Sequence, residues 1–225
     1  WNRKKEKDSK NSPKSLCHTT HERFCTYFLF SPRSEDTINM PVATFTTNVG
    51  TFRAELYSDQ MPITVGNFID LANSGFYDGV HFHRVIPDFM CQFGCPYAKD
   101  PNSRQSGTGG PNPFTNFTGT NGHPYTRNKE GGIPDEVGQP YQRITNDAGT
   151  LSMANTGQPE SGGSQFFINV AHNDFLDWFD RRSPSAHPVF GKITENYDLV
   201  VQISRVQTRD DNPIQPIQMI SVRVA

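Results

Sequence analysis

The sequence predicts a mainly β fold: a closed, eight-stranded antiparallel barrel capped by two α-helices. Three observations point there. Short segments with alternating or β-branched and aromatic residues recur from residue 42 onward, about eight of them. Two other segments carry apolar residues at helical spacing instead. The 225 residues include 18 Gly, 17 Pro and 17 Phe. Such a composition supplies the turns and bulky interior that many short strands need.

Residues 1–39 form a polar extension, separate from a main domain over residues 40–225. Its first fifteen residues are almost free of apolar side chains and are expected to be disordered alone. Cys17, His18, His21 and Cys25 lie close in sequence, but their spacing misses the Cys-x2-4-Cys pairs of structural zinc sites. From residue 42 the pattern changes. Residues 42–47 and 51–57 read as a hairpin around Asn48-Val49-Gly50, with Phe52, Ala54 and Leu56 facing inward. Val65, Phe68, Ile69 and Ala72 give a helix over 64–73, with Thr64 as its cap and Gly75 as its stop. The stretch 81–93 holds one arginine, Arg84, in a largely apolar and aromatic run. A guanidinium there needs partners, and taken alone it reads as a strand-end Arg in a structural ion pair.

Residues 94–132 read as loop. Gly107-Thr108-Gly109-Gly110 lacks the Lys-Ser/Thr of a phosphate loop; such a glycine run also lets another chain approach closely. Residues 111–132 show no periodic apolar face and read as a surface insertion bordering any groove nearby. Asn116-Phe117-Thr118 is a glycosylation sequon of interest only in a secreted protein. Residues 149–155 and 164–170 are strands, 173–178 a short helical turn, 181–186 a polar loop and 187–192 a strand. Leu199, Val200, Ile203 and Val206 give a second helix over 194–206, with Glu195 and Asp198 in its first turn. Residues 216–224 close as an alternating strand.

The composition also excludes functions. A formal net charge of -2 argues against nucleic acid as a partner. The longest apolar run, residues 24–30, is far short of the about 20 residues of a membrane helix, so no membrane partner is expected. Four cysteines are too few and scattered for a disulfide scaffold. A cytoplasmic location is expected, with an organellar one as the alternative if residues 1–39 remain from a targeting segment. Nothing signals an oligomer, so a monomer is expected. His81 and His83 share a strand face without a third metal ligand nearby. Ser152, Ser164 and His187 make a hydrolase triad only on paper, with no Gly-x-Ser-x-Gly elbow.

Several blocks in order carry a resemblance: Phe-His-Arg-Val-Ile-Pro-Asp-Phe-Met-Cys-Gln (82–92), Gly-Thr-Gly-Gly (107–110), Leu-Ser-Met-Ala-Asn (151–155), Gly-Ser-Gln-Phe-Phe-Ile (163–168) and Val-Phe-Gly-Lys (189–192). Together they resemble a cyclophilin-type peptidyl-prolyl cis-trans isomerase over residues 42–225. The resemblance implies the barrel, a peptide groove on its outer face and activity as a rotamase assisting protein folding. It makes Arg84 the catalytic residue and Phe89, Met90, Phe167 and Leu176 the walls of a proline pocket. Gln92 and Asn155 would hydrogen-bond the peptide backbone. Gly107, Ala154 and Gln165 would line the groove, with His187 at the pocket edge. The partners implied are X-Pro peptides and unfolded or flexible protein segments. No bond breaks in such a rotation, so no metal or cofactor is required. Two departures stand out. Phe175 occupies a position where many members carry Trp, whose indole N–H helps bind cyclosporin, so reduced cyclosporin affinity is expected. Asp88 replaces the usual Gly before Phe89. Cys91 and Cys95, four residues apart, are a candidate redox pair.

Overall fold

A computed structural model describes residues 40–180 and 186–225. The Cys17, His18, His21 and Cys25 group and most of the 181–186 loop lie outside them. The described residues belong to one compact unit.

The main sheet has eight antiparallel strands. In chain order β1 is Val42–Thr47, β2 Gly50–Leu56, β3 Arg84–Ile86 and β4 Met90–Phe93. A small hairpin, β5 Asn116–Thr118 and β6 Pro124–Thr126, follows. Then come β7 Thr150–Met153, β8 Phe166–Asn169 and β9 Val189–Glu195. A second small hairpin joins β10 Thr208–Arg209 to β11 Asn212–Pro213, and β12 is Met219–Val224. The helices are α1 Pro62–Asn73 and α2 Tyr197–Ser204. Neighbouring strands run β12-β1-β2-β9-β7-β8-β4-β3. The curled sheet is therefore open as a ladder, ending at β12 and β3. Backbone bonds nevertheless join the segments beside those ends: Gly79 N to Met219 O, Met219 N to Val80 O and Phe82 N to Ile217 O, at 2.8, 2.8 and 3.0 Å.

The inward face is aromatic. Phe45, Phe52, Phe68, Tyr77, Phe82, Phe93, Phe166 and Phe190 are fully buried and pack ring on ring, as in the stacked Phe45–Phe52 pair at 4.7 Å. Large rings fill the interior of a small sheet with few side chains. α1 buries Val65, Phe68, Leu71 and Ala72, and α2 buries Leu199, Val200 and Ile203.

Three elements differ from their expected form. Pro62 opens α1, and Thr64 is not its cap; the buried carboxylate of Glu136 accepts from Ile63 N at 2.7 Å and Thr64 N at 2.6 Å. A helix start leaves N–H groups orphaned, and here a distant loop satisfies them. Gly75 is the expected stop: its φ is 77°, and Phe76 N reaches back to Leu71 O. The second helix begins only at Tyr197, after Asn196 in a left-handed turn; Thr194 and Glu195 belong to β9. In β12 the alternation breaks. Thr46 pairs with Ser221 but Thr47 with Met219, a bulge, so that Met219 and Val222 both face inward.

The 111–132 insertion is built, not loose. Its hairpin packs on α1, where a Cβ on Gly66 would stand 2.5 Å from Thr118 O. Arg127, 2 % exposed, pins it. Its guanidinium donates to Asn67 Oδ1 at 2.9 Å, Thr115 Oγ1 at 3.0 Å and Asp70 Oδ2 at 2.6 Å, and lies over the Phe117 ring.

Candidate active site

Strand register builds the site. Arg84 pairs with Gln92, Gln92 with Phe167 and Phe167 with Ser152. Directly paired residues share a face, so these side chains form one row across β3, β4, β8 and β7. The next residues along, Val85, Cys91, Ile168 and Leu151, form the buried row behind them. The Arg84 row therefore points away from the core. So does the Ile86–Met90–Asn169 row beside it.

Outward-facing apolar residues are normally wet, yet Met90, Phe167 and Leu176 are buried as a cluster separate from the interior. Ile86, Phe89 and Ala154 pack around them. Leu176 comes from a single 3-10 turn, Asp174–Leu176, which also carries Phe175. That ring stacks on Phe89 at 6.0 Å and remains 46 % exposed. His187 forms the edge, its ring meeting Phe167 edge-on at 5.3 Å. Its Nδ1 donates to Met153 O at 2.9 Å, leaving Nε2 as the acceptor. Burial holds its pKa below the ordinary range against that hydrogen bond, so the rim is uncharged at neutral pH.

The polar side of the row is a relay. Gln92 Nε2 donates to Gln165 Oε1 at 3.1 Å, and Gln165 Nε2 donates to Gly107 O at 2.9 Å and Gly109 O at 2.8 Å. Gln165 is thus a strut between Gln92 and the glycine loop. The Asn155 side chain is also used locally: Nδ2 donates to Ala186 O at 2.7 Å and Oδ1 accepts from Gly157 N at 3.0 Å. Its backbone is what remains to face a peptide.

Of the residues implied by the resemblance, Arg84, Gln92 and Phe167 share the outward row, and Phe89, Met90, Ala154 and Leu176 join Phe167 in the outer cluster. Sequence reading missed what holds it. Asn169 Nδ2 donates to Thr150 Oγ1 at 2.9 Å and Ser152 Oγ at 3.0 Å, and Asn173 Nδ2 donates to Asn169 Oδ1 at 2.7 Å and Phe89 O at 3.0 Å. Asp177 Oδ1 accepts from both the backbone and side chain of Asn146 at 2.8 Å. The five residues Asn146, Ser152, Asn169, Asn173 and Asp177 are all buried. The one sequence signal was an Asn at an outward position of a strand otherwise apolar. A buried polar set this well satisfied fixes geometry, here that of the 3-10 turn and of β8.

Other readings lose their footing. Ser152 accepts from Asn169, and Ser164 Oγ donates to Gly94 O at 2.7 Å, so neither hydroxyl is directed at His187. Cys91 and Cys95 are free and buried, and burial pushes the Cys91 thiol up; neither is the exposed thiolate that redox sensing needs. Among the described residues no group of three His, Cys, Asp or Glu side chains converges as a metal site. The insertion hairpin leans on α1. Asp88 keeps the turn that a Gly would make: Pro87 precedes it, its φ is 54°, and Phe89 N bonds Ile86 O, the pattern of a type II turn.

Comparison with known proteins identifies the family. A family profile described as cyclophilin type peptidyl-prolyl cis-trans isomerase/CLD matches residues 42–224. The chain is 35% identical over 183 residues to a peptidyl-prolyl cis-trans isomerase of Acinetobacter baylyi, covering 79% of this chain and 82% of that one. It is 39% identical over 150 residues to peptidyl-prolyl cis-trans isomerase B of Bacillus subtilis, covering 67% and 80%. A crystal structure of a Cryptosporidium parvum cyclophilin type isomerase superposes with a TM-score of 0.63 at 25% identity, covering 83% of this chain and 98% of that one. A second structure of that protein was determined in the presence of the dipeptide Ala-Pro. A profile spanning the whole sheet and a relative more than a third identical over most of both chains lead to one conclusion: the chain belongs to the cyclophilin-type peptidyl-prolyl cis-trans isomerases.

Proposed function

We propose that the chain accelerates rotation about X-Pro bonds in flexible or unfolded protein segments, without a covalent intermediate, through Arg84. The observation that carries this reading is the outward row Arg84–Gln92–Phe167. It sets a guanidinium and an amide beside an apolar cluster that is not part of the core.

Amide resonance resists the rotation with a barrier of about 20 kcal/mol. Midway, the amide is twisted and the proline nitrogen recovers its lone pair. An Arg84 N–H can donate to that lone pair, which a planar amide does not offer. The interaction is therefore stronger in the transition state than in either ground state, which is the condition for catalysis. Met90, Phe167 and Leu176 would grip the ring through its apolar surface. Gln92 and the Asn155 backbone would hold the chain on the other side of the bond. Arg serves better than Lys because its planar fork is always charged and directional. The backbone bonds between residues 79–82 and 217–219 support treating the sheet as a closed, rigid barrel behind this groove. A monomer suffices, since every group invoked lies on one chain.

The test is isomerisation of a short X-Pro peptide by the wild type and Arg84→Ala. Clear catalysis by the wild type is expected, with a loss of about 10²–10³-fold in the variant, the usual cost of removing one such donor. Circular dichroism checks that the fold is kept. Wild-type rates in Arg84→Ala would overturn the mechanism.

A further inference from the structure

The hairpin between β10 and β11 turns through Asp210 and Asp211, with φ of 51° and 63°. Two left-handed residues in a two-residue loop make a type I′ turn, for which Asn-Gly and Asp-Gly are favoured. An L-residue at the second position is disfavoured where glycine is not. Asp tolerates the conformation better than most side chains, but it is not the best choice for making the turn.

The turn docks on β3. Asp211 O accepts from Val85 N at 2.8 Å, a bond that any residue at 211 could make. The side chain has a different target. Its Oδ2 stands 3.5 Å from Nε of Arg84. Both side chains are about half exposed, so the pair adds little to stability. Its value is directional. A carboxylate on the Nε edge fixes the plane of the guanidinium and leaves the two terminal nitrogens for another acceptor. The ladder partner of Arg84, Gln92, is itself braced through Gln165.

We infer that Asp211 is a positioning residue for Arg84: its carboxylate holds the guanidinium by the Nε edge and presents the terminal N–H groups to the proline-binding face. The inference rests on the proposed role of Arg84.

The experiment measures kcat and KM on an X-Pro peptide, with thermal unfolding, for Asp211→Gly, Asp211→Asn, Asp210→Gly, Arg84→Ala and the double variant Arg84→Ala/Asp211→Gly. Asp211→Gly should lower kcat about tenfold with KM little changed, while Tm rises by about 2 °C as the turn relaxes. Asp211→Asn, which keeps a side chain suited to the turn and an oxygen that can accept from Nε, should recover most of the wild-type kcat; a loss as deep as that of Asp211→Gly would overturn positioning as the cause. Asp210→Gly relaxes the same turn and should keep the wild-type kcat. In the Arg84→Ala background, Asp211→Gly should change nothing further. Wild-type kcat in Asp211→Gly overturns the inference, as does a loss that persists without Arg84. If Arg84→Ala itself keeps the wild-type rate, the Arg84 mechanism falls and the inference with it, and the two failures are told apart by that one variant.

Discussion

Phe175, next to Leu176 in the 3-10 turn, has one face on Phe89 and nearly half its surface in water. A phenyl ring there offers contact but no hydrogen-bond donor. Phe175→Trp would add an indole N–H at the rim while keeping the stacking area. We expect cyclosporin to bind the variant about tenfold more tightly than the wild type, the yield of one well-placed hydrogen bond, as measured by inhibitor titration. At this scale the sequence was most readable where neighbours in sequence act together: Arg84, Phe89, Met90 and Gln92 all sit within nine positions and reach one face. Asp211 was invisible because it lies 127 positions from Arg84. Nothing local marks its carboxylate as more than a turn residue. The buried Asn169 was missed because what marks it is its set of partners, on β7 and in the turn after β8.

Elements were legible where their own side chains decide them. Alternation located β2, helical spacing located α1 and α2, and Gly75 ended α1 as expected. They were misread where another part of the chain decides. Glu136 starts α1 from 72 positions away. The β12 bulge appears only through its pairing with β1. The β5–β6 hairpin has no apolar stripe because its anchor is a buried charge. Arg127 tests that anchor. Arg127→Met keeps much of the volume but leaves Asn67 Oδ1 and the Asp70 carboxylate without their donor. We expect a loss of about 2–3 kcal/mol in urea unfolding, with isomerase kinetics close to wild type because the hairpin leans on α1. A raised KM instead would return the insertion to the groove.

For the molecule as a whole, acidity should be the weak side. His83 packs against Gly107, and neither ring nitrogen has a hydrogen-bond partner among the described residues. Burial, with a smaller push from Arg84, takes its pKa from 6.5 down to about 4. Between those values the unfolded chain binds a proton that the folded chain refuses. Stability is then full above about pH 6.5 and falls as pH drops toward 4, by about 3 kcal/mol over the window. His187 is displaced in the same direction and adds to the slope. His83→Gln should flatten this acid limb, as read from urea unfolding between pH 4 and 7.5; an unchanged slope would assign it elsewhere. The strand order carries a further consequence, for synthesis. β1 is flanked by β2 and β12, and the loop after it is tied to Gln218, 170 positions downstream. A ribosome adds about 5–20 residues each second. One edge of the first hairpin therefore waits roughly ten seconds or more for its partner, with an unpaired strand edge exposed to other chains. By this topology, the isomerase completes its sheet only when its last strand has been made.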